Sequence, residues 1–389
     1  MRNQGKKSRG MKRFLGYVSV LCLLLLWVLP AAAEGRVIVA DIQKYGNLVL
    51  SMTGSDFLKQ GYAYGDIVTV TIAGTEYEMP VGSNYSDVDQ GSMICRAVVK
   101  AETGEDQLIL AINMGDLATA TGIAEKEKTE ADPGYIWHFR VREPVEVTFA
   151  MKEAGGYRDQ IMIHQLVRSE NRDSYPELTD AEYANFRMIS TGRIRENTLY
   201  RSSSPVNPEI NRNQEADEAA REAGIRTFIN LADTAQGMKA YDGYAQSYYS
   251  TQPVICLNLG VDFNAEEFRR GLAEGLHFLA EGEAPFLVHC NEGKDRAGFV
   301  SAVLEALMGA TAEEITADYM KTFYNYYGVE PGTEQYDVIA GSNIQKSLAT
   351  AFGIESIFDA ELESAAENYL MEIGLTPDEI GAIKAKLGN

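Results

Sequence analysis

Apolar and polar residues follow two different rhythms along this chain. Between residues 36 and 152, short apolar or alternating runs at 47–51, 67–72 and 145–150 are separated by Gly-containing turns, and Ala73-Gly74-Thr75 reads as a hairpin turn. This rhythm predicts a small all-β barrel or sandwich over residues 34–152. Residues 153–185 are polar, with Gly155-Gly156, several Arg and Glu residues and Pro176, and are expected to form a connecting segment. Beyond them, over residues 186–389, the rhythm changes. Apolar strands are predicted at 227–231, 254–257 and 285–289. A helix is expected at 214–223, ended by Gly224, and Asn264 with Glu267 predicts a capping box for a helix reaching about residue 280. Thr311 with Glu314 opens another helix, and Thr376-Pro377-Asp378-Glu379 opens the last. Strands alternating with helices predict an α/β domain: a mostly parallel sheet flanked by helices.

The N-terminus breaks both rhythms. Arg2, Lys6, Lys7, Arg9, Lys12 and Arg13 precede an apolar run at 14–29 and then Pro30-Ala31-Ala32-Ala33. The run is shorter than the roughly 20 residues of a spanning helix, and small residues suited to cleavage follow it. Residues 1–33 are therefore expected to be a cleaved signal peptide, giving a secreted or extracytoplasmic protein.

Charge narrows the range of partners. The whole chain has 35 Lys and Arg against 56 Asp and Glu, a formal charge of −21; without residues 1–33 it has 29 against 56, or −27. Nucleic acid is excluded as a natural partner, and a phosphorylated substrate must be drawn by a local positive site. Of the four cysteines, Cys22 lies in the signal, leaving Cys95, Cys256 and Cys290, too few for a disulfide scaffold. Cys95 and Cys256 sit in strand-like apolar runs and read as small packed residues.

The chemistry concentrates in Val288-His289-Cys290-Asn291-Glu292-Gly293-Lys294-Asp295-Arg296-Ala297-Gly298, which follows an apolar strand and enters the helical run 299–308. A loop of this size can curl its N–H groups around a phosphate while the helix N-terminus adds its dipole. Gly293 permits the tight turn, and Arg296 can bridge two phosphate oxygens with its planar fork. The same field favours the Cys290 thiolate as nucleophile. His289 is expected to brace the loop, Arg201 either to reach substrate or to pair with an acid, and the run Tyr319, Phe323, Tyr324, Tyr326, Tyr327 to be core rather than pocket wall. No cofactor is expected, and His138, His164 and His277 lack metal-ligand spacing.

These residues make the chain similar to the cysteine-dependent protein tyrosine and dual-specificity phosphatases, and more narrowly to their bacterial branch with the loop His-Cys-x-x-Gly-Lys-Asp-Arg. Leu199-Tyr200-Arg201-Ser202, the segment 314–319 (EITADY) and the segment 369–387 (YLMEIGLTPDEIGAIKAKL) extend the resemblance over 186–389. It implies Cys290 as nucleophile, Arg296 as phosphate clamp, and Asn291, Glu292, Gly293, Lys294 and Ala297 as the remaining substrate-binding loop. The substrates implied are phosphorylated protein, phosphoinositide or inositol phosphate; Lys294 either serves a polyanionic head group or balances Glu292 and Asp295 locally. Asp262, in Gly260-Val261-Asp262-Phe263, and Asp295 both stand as general-acid candidates, Asp262 with a turn or capping role as its alternative. Two departures favour a weakly active or purely phosphoryl-binding protein as the rival reading: Ala297 where the family carries Ser or Thr, and the Glu292 carboxylate in a loop meant for a dianion. At the other end, the segment 41–50 (DIQKYGNLVL) resembles the β-barrel domain of the S-adenosylmethionine hydroxide adenosyltransferases. This implies a fold and an unknown partner for the β domain, with no binding residues carried over.

Overall fold

The computed structural model describes residues 36–100, 103–130 and 134–388. The signal-peptide expectation for residues 1–33 lies outside them, and among the described residues no helix is long and apolar enough to cross a membrane.

The N-terminal rhythm builds a closed barrel. Its strands are β1 (Val37–Ile42), β2 (Leu48–Leu50), β3 (Ile67–Ile72), β4 (Thr75–Gly82), β5 (Met93–Lys100), β6 (Glu105–Ile112) and, after a separate hairpin of β7 (Ala124–Lys128) and β8 (Tyr135–Phe139), β9 (Glu146–Glu153). The order around the barrel is β1-β2-β6-β5-β4-β3-β9, closed where Val37 pairs with Val147. Alternation puts Val68, Val70 and Ile72 of β3 inside with Met79, Val81, Leu108 and Leu110. Ala73 and Gly74 join β3 to β4 with φ of 49° and 88°, the left-handed pair of a tight hairpin.

The C-terminal rhythm builds a five-stranded sheet of β10 (Arg187–Ile189), β11 (Leu199–Ser202), β12 (Thr227–Asn230), β13 (Val254–Cys256) and β14 (Phe286–His289), in the order β10-β11-β14-β12-β13. All neighbours are parallel except the edge pair β10–β11. Both faces are covered, and period-two alternation shares the strands between two cores. Leu199, Ile229, Phe286 and Val288 join the larger one, whereas Tyr200, Phe228 and Leu287 join the smaller. Each fully buried aliphatic or aromatic side chain contributes about 1.5–3 kcal/mol, so the β14 backbone ends in a rigid setting.

The helix Asp295–Leu307 is buried from Ala297 through Leu307 and runs through the larger core. Capping boxes at Thr311 and Thr376 open the helices Ala312–Tyr327 and Pro377–Leu387. The capping box expected at Asn264 does not form. The helix starts at Glu266 with Ala265 at its N-cap and no side-chain cap, because the Asn264 N–H is already taken by the Asp262 carboxylate at 3.0 Å and the preceding Phe263 is stacked on Phe299 at 4.4 Å. Tertiary packing of the two rings decides the entry of the chain, and the local signal loses.

The polar segment after β9 is more than a tether. It carries the helix Arg158–His164, the 3₁₀ turn Arg172–Ser174 and the helix Asp180–Tyr183. Tyr157 N–H donates to Gly65 O on the barrel side at 2.7 Å, and on the other side Gln335 donates to Met162 O at 3.1 Å.

Candidate active site

Strand β14 delivers Cys290, which is 3% exposed, and the chain then turns through Asn291 to Lys294 into the helix that begins at Asp295. Four loop carbonyls are held from the scaffold side. Ser204 N–H donates to Asn291 O at 3.0 Å, the Tyr326 hydroxyl to Glu292 O at 2.5 Å, and the Asn185 amide to Glu292 O and Gly293 O at 3.3 Å each. Arg201 Nη2 donates to Gly293 O at 2.7 Å and Lys294 O at 3.2 Å. In a planar trans peptide the C=O and the following N–H point in opposite directions. Tying these carbonyls back therefore aims the N–H groups of Glu292, Gly293, Lys294 and Asp295 at the concave side, a nest suited to an anion.

Gly293 is dictated twice over: its φ is +67°, and a Cβ there would lie 2.1 Å from Ser202 O. Beneath it, Arg187 and Arg201 face each other across the antiparallel β10–β11 register. Asp318 pairs with both, accepting from Arg187 Nε and from Arg201 Nη1, each at 2.7 Å. Burial would raise the Asp318 carboxyl, but the two guanidinium groups outweigh it and hold it low. Arg201 thus pairs with an acid and braces the loop. Nearby Glu305, fully buried, accepts from the Thr191 hydroxyl at 3.0 Å; burial, then the Asp318 charge, raise its carboxyl well above the usual range.

His289 is wholly buried, and burial pulls its imidazole down to about 4. The neutral ring lies 2.9 Å from the Tyr249 hydroxyl through Nε2 and 3.4 Å from Cys290 O through Nδ1. The hydroxyl itself accepts from Asn230 at 3.1 Å.

The charged loop residues form a closed set. The two oxygens of Glu292 lie 2.6 Å from Arg168 Nη1 and 3.0 Å from Lys294 Nζ. Lys294 is also 3.8 Å from Asp295; burial opposes its charge, but Asp295 and Glu292 together raise its basicity. Lys294 is thus engaged in local balance. Half-buried Asp295 is raised, first by burial, with Glu292 adding to the effect against Lys294. Arg296 Nη1 donates to Leu259 O at 2.9 Å, which ties the Asp262 segment to the loop helix. Asp262 is exposed, and both carboxylates line one cleft of about 420 Å³ with Asn264, Tyr319, Asn343 and Ser347. Cys290 is not in its lining. Asn291 donates to Glu209 at 3.2 Å, and Ala297 is buried. The aromatic run divides: Tyr319, Phe323 and Tyr326 are buried, Tyr324 is exposed, and the Tyr319 ring also lines the cleft.

Sequence reasoning missed Arg168, Asn185, Asp318 and Tyr326. Asp318 lies inside the 314–319 segment already singled out, and an acid was named as a possible partner of Arg201. Arg168 gives no signal, being 124 residues from Glu292 in a polar stretch.

Residues 182–389 match the tyrosine phosphatase family. This is more than half of the chain, and the chain belongs to that family. Residues 35–130 match the SAM hydroxide adenosyltransferase C-terminal domain. A Cupriavidus necator protein provisionally named a tyrosine-protein phosphatase is 26% identical over 151 residues, 33% of this chain and 55% of the relative, so the chain spans about half of that relative's length. A solved structure of an uncharacterized conserved protein from Thermotoga maritima is similar at 22% identity, covering 29% of this chain and 35% of that one, with a TM-score of 0.22.

Proposed function

We propose that the chain hydrolyses phosphate monoesters through a cysteinyl-phosphate intermediate, outside the cytoplasm. The observation that carries this reading is the nest of loop N–H groups between Cys290 and Arg296, its carbonyls all tied back by the scaffold. The Cys290 thiolate attacks phosphorus, forming the S–P bond as the P–O bond to the leaving group breaks. Asp295 donates the proton to the departing oxygen; its raised carboxyl suits an acid, whereas Asp262 is engaged in a turn. Water then attacks the thiophosphate, releasing inorganic phosphate and the thiolate. The loop N–H groups, the helix dipole and Arg296 balance charge on the equatorial oxygens. Ala297 offers no hydroxyl to the departing thiolate, so breakdown of the intermediate is the slow step. Phosphorylated protein, phosphoinositide and inositol phosphate are the substrate classes proposed, and export rests on the basic and apolar N-terminus.

The test is phosphate release by residues 34–389 from phosphotyrosine peptide, phosphoserine peptide, phosphoinositides and phytate, beside Cys290→Ser. Turnover lost in the variant supports the mechanism. No turnover on any of them, with phosphate still protecting Cys290 from alkylation, refutes it in favour of a phosphoryl-binding protein.

A further inference from the structure

Glu292 poses an electrostatic problem. It is a carboxylate in the middle of a loop whose N–H groups converge on a dianion, and a bare charge there repels the ligand at close range. The structure meets this with two cations of different origin. Lys294 is local, two residues along the loop, and takes one oxygen at 3.0 Å; Arg168 takes the other at 2.6 Å and comes from the segment that follows the barrel.

Arg168 is not a surface arm that happens to reach. Its side chain is 14% exposed, its guanidinium lies 5.2 Å from the Tyr326 ring, and it is shared with Glu170 at 3.0 Å. The backbone carrying it is pinned to the phosphatase sheet side. Ser169 N–H donates to the Tyr175 hydroxyl at 2.9 Å, and that hydroxyl donates to Tyr326 O at 3.1 Å. Glu170 O accepts from the Tyr183 hydroxyl at 3.1 Å and from Asn211 at 3.0 Å. Tyr326, whose ring receives the Arg168 guanidinium, is the residue that also holds Glu292 O from behind. One side chain thus positions both the loop backbone and the cation that neutralises its carboxylate.

We propose that Arg168 is a positioning residue of the phosphatase site, supplied by the segment between barrel and sheet, which holds the Glu292 carboxylate away from bound phosphate and cancels its charge. The proposal rests on the phosphate-loop reading above. It makes residues upstream of the sheet part of the anion site, and it gives the segment joined to the barrel a direct hold on the catalytic loop.

The test reads inorganic phosphate binding by calorimetry on the Cys290→Ser protein, which separates binding from turnover, with parallel melting curves. Arg168→Ala is expected to weaken phosphate about 10- to 100-fold, since one partner of a partly buried charge pair is removed beside an anion. Arg168→Lys retains most of the affinity. Glu292→Gln binds several-fold tighter than the parent, and Arg168→Ala with Glu292→Gln returns to within about threefold of the parent. An unchanged Kd in Arg168→Ala overturns the proposal, as does a double variant as weak as Arg168→Ala, which would make Arg168 a mere brace. Should Arg168→Ala not fold, Glu292→Gln decides alone, weaker binding overturning the proposal. A parent that binds no phosphate sinks the phosphate-loop reading and this proposal together, an outcome distinct from the other two.

Discussion

Replacing Asp318 by Asn removes one charge from beneath the loop and changes almost nothing else in shape. In the folded protein Asp318 accepts from Arg187 Nε at 2.7 Å, from Arg187 Nη2 at 3.2 Å and from Arg201 Nη1 at 2.7 Å. Arg201 is completely buried, and the other two side chains are 9% exposed. Without the carboxylate, two guanidinium groups opposed across β10 and β11 are left uncompensated. Removing one partner of a buried pair costs about 3–5 kcal/mol. Asn keeps an acceptor, so the lower end, about 3 kcal/mol, is expected. At about 2–4 °C per kcal/mol for a domain of this size, the phosphatase melting transition falls by about 6–12 °C. Function follows through Arg201, whose Nη2 holds Gly293 O and Lys294 O. If the guanidinium turns toward another acceptor, the loop N–H groups lose their aim, and displacement by about 1 Å costs about 100-fold. Phosphate release well below the variant's own midpoint is therefore expected to fall about 10- to 100-fold. Burial opposes the Asp318 charge, yet Arg187 and Arg201 hold its carboxyl at about 2. The contribution is thus present above the ordinary aspartate value and lost as pH falls from there toward about 2, an acid step the Asn variant lacks. Calorimetry beside a phosphate-release assay checks both effects. A midpoint lowered by less than about 2 °C, with kcat/KM within about twofold, refutes the reasoning.

Gly293→Ala must hold a left-handed backbone at about 1–2 kcal/mol and push its Cβ off the Ser202 carbonyl at 2.1 Å. Phosphate release is expected to fall at least about 100-fold while the far-ultraviolet spectrum keeps its native form, and near-parental activity would show that the loop can relax. In Glu305→Gln the sign runs the other way: burial and Asp318 raise the carboxyl, so the folded protein keeps a proton that the unfolded chain gives up above about 4.5, and stability declines as pH rises. Melting at about pH 5 and pH 7 is expected to show a variant that gains on the parent with rising pH; a constant difference between the two refutes it. Asp295→Asn is expected to lower kcat/KM by about 10²–10⁴ for alkyl phosphates and far less for p-nitrophenyl phosphate, whose leaving group needs no proton, whereas Asp262→Asn changes neither by more than a few-fold; the reverse pattern reassigns the acid.

The parts of the site that were legible in the sequence are those decided within a few contiguous residues. Strand, cysteine, glycine, arginine and helix follow one another, and each residue's physical task is set by its neighbours along the chain: Gly293 because the turn needs its φ of +67°, Arg296 because it stands in the first helical turn. The same holds for the hairpin at Ala73-Gly74 and the caps at Thr311 and Thr376. What closes the barrel is a pairing of β1 with β9, more than a hundred residues apart, so the sequence supported barrel and sandwich equally. The Asn264 cap shows a local signal overridden, because the stack of Phe263 on Phe299 and the Asp262 turn fix the chain before the helix starts.

The residues that complete the site are the ones no local pattern could reveal, for a common physical reason. An anion loop with outward-facing carbonyls needs donors behind every one of them, and a strand pair with arginine opposite arginine needs a buried acid. The side chains that meet these needs are distant along the chain: Asn185 and Arg201 lie 107 and 92 residues before carbonyls they hold, Tyr326 lies 34 residues after, and Asp318 lies 117 residues from Arg201, while the loop's own carboxylate is met from 124 residues away by Arg168. The last lies in a stretch whose polarity reads as a connector, yet its Ile163 and Leu166 pack against the larger core, and the tyrosines around it cover their rings while donating their hydroxyls to backbone carbonyls. Tyr175, Tyr183 and Tyr326 all do this within one small region. A polar segment punctuated by tyrosines, preceding an anion loop that carries a carboxylate of its own, is therefore better read as part of the site than as the way to it.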